Sequence, residues 1–420
     1  MQLVNATNNM ILFFLTSGLF LGWSLGANDA SNVFGSAVGS KMVTFRKAAI
    51  IASVFVILGA VIQGAGAAHT LGKLGAVNAI GGSFTLALAA AITVYVMTKF
   101  SLPVSTTQAI VGAIIGWNLF TGNSSDPGTL TKIVATWISG PVLGAIFAVL
   151  LFMLLARIKK ISKVHLIRFE SYIRTSLIIV GAFGAYSLGA NNIANVMGVF
   201  VPAFNLQPLD FGLFTLSSAQ QLFLLGGLAI AAGIITYSKK VMETIGTNIV
   251  ELSSEAAVVV VLAQSLVLFI FSSSSLSGFF VRLGLPAIPM VPVSSSQVIV
   301  GCVIGIGLYK GARNINFKLL GEIAIGWLAT PVMSGLLAFF SLFFIKNIFN
   351  IDVGHKVEGL VDQSVSQPVI PDAATSEMMK YILIGITAVG IIAGAYFLMI
   401  ERKKKRELKL SEEKFWKNMK

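Results

Sequence analysis

Long apolar stretches separated by short polar or charged segments recur along the whole chain, most clearly at 11–38, 47–68, 132–156, 175–200 and 381–400. About 20 apolar residues in a helix span the roughly 30 Å hydrocarbon layer of a bilayer, and each of these stretches reaches that length. The period-two alternation of a transmembrane β-barrel is absent. The pattern predicts an all-α polytopic membrane protein. The first apolar stretch lacks a basic segment before it and runs straight into a polar motif. It is therefore read as a working helix rather than a cleaved signal peptide.

The polar interruptions come in pairs. Ser24-Leu25-Gly26-Ala27-Asn28-Asp29-Ala30-Ser31-Asn32 returns as Ser187-Leu188-Gly189-Ala190-Asn191-Asn192-Ile193-Ala194-Asn195. Pro103-Val104-Ser105-Thr106-Thr107-Gln108 returns as Pro292-Val293-Ser294-Ser295-Ser296-Gln297. Thr70-Leu71-Gly72 matches Thr244-Ile245-Gly246, and Trp137 and Pro141 match Trp327 and Pro331. The order of the marks is the same in both sets, which indicates a duplication. Two copies of a polar break within apolar sequence point to a transporter whose site lies where the copies meet.

Charge distribution orients the copies. Only 11% of the 420 residues are charged, against 55% hydrophobic, and the formal net charge is +13. The basic residues gather between Arg157 and Arg174 and from Arg402 to Lys420, next to apolar segments. Such runs mark cytoplasmic loops under the positive-inside bias, and they argue against a nucleic-acid partner. Walking outward from 157–174 puts the first Gly-Ala-Asn copy on an inward-running segment and the second on an outward-running one. The expected organisation is a first transmembrane repeat at 11–156, a basic cytoplasmic linker at 157–174 and a second, inverted repeat at 175–345. An extracytoplasmic linker at 346–378 and an extra C-terminal helix with a basic tail at 379–420 follow. The N-terminus is expected outside and the C-terminus in the cytoplasm of a multi-pass protein of the cell (inner) membrane. Discontinuous helices, with re-entrant hairpins around Pro103 and Pro292, complete the expected fold, because irregular backbone is tolerated at depth where it lines a cavity. The single cysteine, Cys302, excludes an intrachain disulfide.

The paired motifs carry the candidate chemistry. A proline followed by hydroxyl residues signals a helix start. The free amides of such a start, with their partial positive charge, bind anions without a basic side chain. Ser105, Thr106, Thr107, Ser294, Ser295 and Ser296 are the candidate anion ligands, suited to a tetrahedral oxyanion. The Gly-Ala-Asn motifs are short and rich in oxygen, which suits hard cations such as Na⁺. Asp29 is the only acid between Met1 and Ser125. A carboxylate in a membrane segment costs roughly 2.5 kcal/mol or more unless paired, so a co-bound cation is its natural partner. Asn192 takes the corresponding place in the second copy and makes the halves chemically asymmetric. Gly112 with Gly116 and Gly301 with Gly305 read as helix-packing seams. A proton role for His69, matched by Glu243 in the second half, is the weaker candidate. Zinc-ligand spacing, a nucleophile elbow and a Walker motif are all absent, and no enzyme or resident cofactor is expected.

These doubled motifs resemble the inorganic phosphate transporter (PiT) family, in its sodium-coupled bacterial or archaeal form, over roughly 20–345. The resemblance implies cation-coupled uptake of phosphate through an inverted-repeat fold. It places phosphate at the six hydroxyl residues, and cation and phosphate binding at Asn28, Asp29, Asn32, Asn191, Asn192 and Asn195. The chain departs from the family where many members carry Asp, at Asn192, and where many carry His, at Gln108 and Gln297. A glutamine cannot titrate, but its carbonyl can ligate sodium, so Gln108 and Gln297 join the sodium ligands. The expected function is sodium/phosphate symport by alternating access, with phosphate, sodium ions and the lipid bilayer as partners; a homo-oligomer is compatible with the sequence. The rivals are a proton-coupled carrier of phosphate or another oxyanion such as sulfate, and an anion channel.

Overall fold

The computed structural model describes residues 2–355, except 76, 100–103, 163–164, 205, 213, 243–252 and 312–316. The first half comprises α1 (Gln2–Gly39), α2 (Phe45–Gln63), α3 (Ala65–Leu74), α4 (Ile80–Lys99), α5 (Thr106–Thr121) and α6 (Pro127–Ser162). The second comprises α7 (Leu166–Met197), α8 (Ser218–Thr236), α9 (Ser254–Ser272), α10 (Ser274–Arg282), α11 (Ser295–Tyr309) and α12 (Phe317–Phe349). A two-stranded hairpin, Leu209 paired with Leu216 and Asp210 with Thr215, lies in the connection from α7 to α8. Seven of the described helices are long and apolar enough to cross a membrane. By contrast α5, with 16 residues, and α11, with 15 residues, reach only about 24 Å at 1.5 Å per residue.

Three boundaries differ from the sequence reading. Most of the linker expected at 157–174 is helix, because α6 runs on to Ser162 and α7 begins at Leu166. The segment contains no glycine or proline, and basic side chains in the last turn of α6 suit its dipole. At the other end of the second repeat α12 continues to Phe349 rather than stopping at 345, and α1 reaches back to Gln2 rather than beginning at 11. Pro103, Glu243, the Thr244-Ile245-Gly246 turn, the linker beyond 355 and the 379–420 helix lie outside the described residues.

The helices pack in a reciprocal pattern. The first half's α2 lies on α7, and α8 of the second half lies on α1; α5 lies on α12, and α11 on α6; α4 lies on α1, and α9 on α7. Each pairing returns when the halves are exchanged, which is the signature of a two-fold relation. Individual residues obey it as well. A side chain at Gly26 would strike the Ile230 carbonyl, and one at Gly189 the Val56 carbonyl. A side chain at Gly112 would strike the backbone of Pro331, and one at Gly301 the backbone of Pro141. Glycine is required at these crossings because the backbones touch there. The two motif-bearing helices are antiparallel: Gly18 near the start of α1 meets Met197 and Phe200, whereas Gly184 meets Val33 further along.

Burial grades from the centre outward. Some 67% of the apolar window of α4, α7 and α9 is buried, but only 17% of that of α6 and 22% of that of α12. Ile138, Val142 and Leu150 of α6, like Leu328, Val332 and Phe340 of α12, are exposed, as lipid contact demands. After α12 the chain folds back as a short strap. Val353 is buried, accepts a hydrogen bond from Trp117 Nε1 at 2.7 Å, and packs with its carbonyl against Gly82 at the start of α4.

Candidate functional site

The two hydroxyl motifs fold into matching helix starts. Ser105 and Ser294 have extended backbone and act as N-caps, each accepting from the amide three residues on: Gln108 N–H at 3.2 Å and Gln297 N–H at 3.3 Å. The serine oxygens satisfy one of the four free amides at each helix start. The remaining first-turn amides point out of the helix, beside Thr106, Thr107, Ser295 and Ser296. All six hydroxyl residues and both glutamines are buried.

The Gly-Ala-Asn motif of each half reaches the hydroxyl motif of the other. Ser295 Oγ donates to Asp29 Oδ2 at 2.7 Å, and Asn32 Nδ2 donates to Ser295 Oγ at 3.4 Å. In the opposite sense, Asn195 Nδ2 donates to Thr107 Oγ1 and to Asn192 Oδ1, both at 2.9 Å. The close α1–α8 and α2–α7 crossings at Gly26 and Gly189 lie two residues before Asn28 and Asn191.

The hydrogen bonds sort the six motif residues. Asn191 commits both ends of its amide to Val293, donating to the carbonyl at 2.7 Å and accepting from the N–H at 3.0 Å. It clamps the backbone ahead of α11, with its nitrogen and its oxygen each holding a protein partner. Asn28, its equivalent, donates instead to Thr98 Oγ1 at 2.8 Å, and its Oδ1 has no partner. Asp29 is 1% exposed, and its Oδ1 likewise has no partner. The same holds for Asn32 Oδ1, Asn195 Oδ1, Gln108 Oε1 and Gln297 Oε1. Leaving a buried polar group unpaired costs about 1–3 kcal/mol, more when it is charged. A concentration of such acceptor oxygens suits a hard cation. Three unpartnered motif atoms differ in kind, Ser24 Oγ, Thr106 Oγ1 and Asn192 Nδ2, because each can donate. Asp29 has no basic partner among the described residues.

Sequence reasoning located the motifs but missed Thr98. It lies next to the last residue of α4, and its spacing alone gives no sign that it faces Asn28. His69, the candidate proton group, lies on α3 outside this hydrogen-bond network.

Residues 25–338 match the family described as the phosphate transporter family. Among curated relatives, a "Putative phosphate permease" of Thermococcus kodakarensis is 28% identical over 405 residues, covering 79% of this chain and 96% of that protein. A relative of the same name from Pyrococcus furiosus is 29% identical, covering 78% of this chain and 94% of its own. Among solved structures, one described as "The sodium-dependent phosphate transporter" superposes with a TM-score of 0.64 at 23% identity, covering 81% of this chain and all of that one. With the family match spanning both motif pairs, the chain belongs to the phosphate transporter family and is a multi-pass membrane transport protein, not an enzyme.

Proposed function

We propose that the protein is a sodium/phosphate symporter working by alternating access. The observation that carries this reading is Asp29: a buried carboxylate bonded only to Ser295, with its second oxygen unpartnered, among five further unpartnered acceptor oxygens and two helix starts. Phosphate carries one or two negative charges at neutral pH. Each helix start offers about half a positive charge, so two of them cannot offset both the anion and Asp29. Cations that arrive with the anion close the deficit. Each ion then raises the affinity for the other, which is the thermodynamic content of coupling.

In this reading Thr106, Thr107, Ser295 and Ser296 hold phosphate together with the first-turn amides of α5 and α11, while Ser105 and Ser294 shape those turns as caps. Asp29, Asn28, Asn32, Asn195, Gln108 and Gln297 offer oxygens to sodium. The non-titrating glutamines favour sodium over protons as the coupling ion, and the solved relative described as sodium-dependent supports the same choice. The antiparallel relation of α1 and α7 supports an inverted repeat, and the basic runs at 157–174 and 402–420 support an orientation in the cell membrane with the N-terminus outside and the C-terminus in the cytoplasm. Exchanging the packing of the two repeats would open the site to alternate sides.

Reconstituted uptake of labelled phosphate, with sodium and pH gradients varied separately, tests this reading. Uphill accumulation driven by sodium alone is expected, with little competition by sulfate. Uptake driven by a pH gradient in sodium-free buffer would establish the proton-coupled alternative instead. Conductance far above carrier turnover without uphill accumulation would make the protein a channel.

A further inference from the structure

We propose that the strap at 351–355 fastens α4, α5 and α12 into one body, whereas the matching contact of α6 with α9 is a releasable latch, so that α6 carries α11 through the transport cycle while α5 stays in place. The inference rests on the alternating-access reading and names the part that moves. The strap is held from several sides. Trp117 Nε1, in the last turns of α5, donates to the Val353 carbonyl at 2.7 Å. Asn78, two residues before α4, donates to the His355 carbonyl at 3.2 Å and accepts from the His355 N–H at 3.3 Å. Asn123, two residues after α5, donates to the same carbonyl at 3.4 Å. A side chain at Gly81 or Gly82 would strike the carbonyl of Asp352 or Val353, so α4 and the strap touch backbone to backbone. Gly354 turns the chain at a φ of +97°, and a side chain there would strike Asn78 Oδ1. Asn118 ties the same end of α5 to α3 by donating to the Leu74 carbonyl at 3.1 Å.

The other copy is fastened differently. Counted from the matched prolines Pro141 and Pro331, the strap positions correspond to 161–165. There α6 runs on to Ser162, α7 begins at Leu166, and Ile161, the counterpart of Ile351, is 70% exposed. Counted from Ser105 and Ser294, Trp117 corresponds to Ile306 and Asn118 to Gly307, and neither carries a side-chain donor. The packing of α6 on α9 matches that of α12 on α4, but its end is closed by an ion pair, Lys159 Nζ to Glu255 Oε1 at 2.5 Å, with side chains 49% and 26% exposed. Water and salt replace such a pair at small cost. The Trp117 bond to the buried Val353 has no such substitute, and leaving it unmade is expensive. Each binding helix would travel with its own support, because Gly301 and Gly305 hold α11 on α6 and Gly112 and Gly116 hold α5 on α12. The weak fastening therefore selects α6 with α11 as the mobile arm.

Paired cysteines in a Cys302→Ala background test the assignment, joined by a short bifunctional methanethiosulfonate reagent that a reductant removes. Flux of labelled phosphate into proteoliposomes is measured before linking, after linking and after reduction. Linking Lys159→Cys to Glu255→Cys should stop the flux, and reduction should restore it. Linking Asn78→Cys to His355→Cys should leave the flux unchanged. Flux that survives the link between positions 159 and 255 would overturn the inference, and so would a block by the link at the strap. If the Asn78→Cys variant does not fold, Phe120→Cys with Lys346→Cys takes its place, joining α5 to α12 where Lys346 Nζ lies 5.7 Å from the Phe120 ring; a block there would overturn the inference equally. The outcome is separable from the carrier reading. Conductive phosphate flux without uphill accumulation in the unlinked protein would refute alternating access, while the contrast between the two links in that flux would still support or overturn the strap and the latch.

Discussion

Asn191 and Asn28 occupy equivalent places, yet replacing them with alanine should have unequal effects on stability. Asn191→Ala removes both partners of the Val293 backbone, a donor at 2.7 Å and an acceptor at 3.0 Å, at a residue with no solvent exposure. Each buried backbone group left unpaired costs about 1–3 kcal/mol, so the two together amount to about 2–6 kcal/mol. Asn28→Ala breaks one bond, to Thr98 Oγ1, whose own O–H still donates to the Val94 carbonyl at 2.7 Å. It also removes an oxygen that has no partner, so the net loss should be about 0.5–1.5 kcal/mol. The measurement is unfolding of the two purified variants in mixed micelles with increasing SDS, followed by tryptophan fluorescence against wild type. Asn191→Ala should unfold at markedly lower SDS and Asn28→Ala close to wild type. Equal shifts for the two variants would refute the argument that Asn191 is a backbone clamp while Asn28 offers its oxygen to a ligand.

Asp29→Asn should abolish the stimulation of phosphate uptake by sodium; an unchanged sodium response in that variant would remove the carboxylate from the cation site. Thr107→Val should weaken phosphate binding roughly tenfold, the effect of one lost hydrogen bond to a charged group, and direct binding of labelled phosphate would show it. Gly301→Ala and Gly112→Ala should each destabilise by about 1–3 kcal/mol through forced separation of touching helices, whereas Gly278→Ala, with open space around it, should be neutral or slightly stabilising. The same SDS titration reads all three, and equal behaviour of Gly278→Ala and Gly301→Ala would contradict the close crossing.

The parts legible in the sequence are those with a local cause. Hydroxyl residues after a proline begin helices because a serine oxygen caps the free amides, and both Ser105 and Ser294 do so. The glycine seams are legible because only the smallest residues admit backbone contact, and Gly112 and Gly301 meet Pro331 and Pro141 there. The roles of the asparagines were beyond reach for a physical reason. An asparagine offers an oxygen at one end and a nitrogen at the other, and which end remains free depends on partners distant in the chain. Asn191, grouped with the cation ligands by its motif, spends both ends on Val293. Asn192 spends its oxygen on a neighbour three residues away. Thr98 escaped notice for the same reason, and the helical ends of the 157–174 segment were read as loop because charge marks a membrane boundary but not the end of a helix.

The crossed placement of α5 against α12 and α11 against α6 bears on how such a molecule can move. A polypeptide severed between α6 and α7 would yield two fragments, each with a binding helix stripped of its main support. In the alternating-access cycle proposed above, the bodies that shift would therefore not coincide with the N-terminal and C-terminal portions of the gene product. Under that proposal they would be assembled from both, since a rocking-halves scheme drawn along the sequence would tear the most extensive helix seams among the described residues.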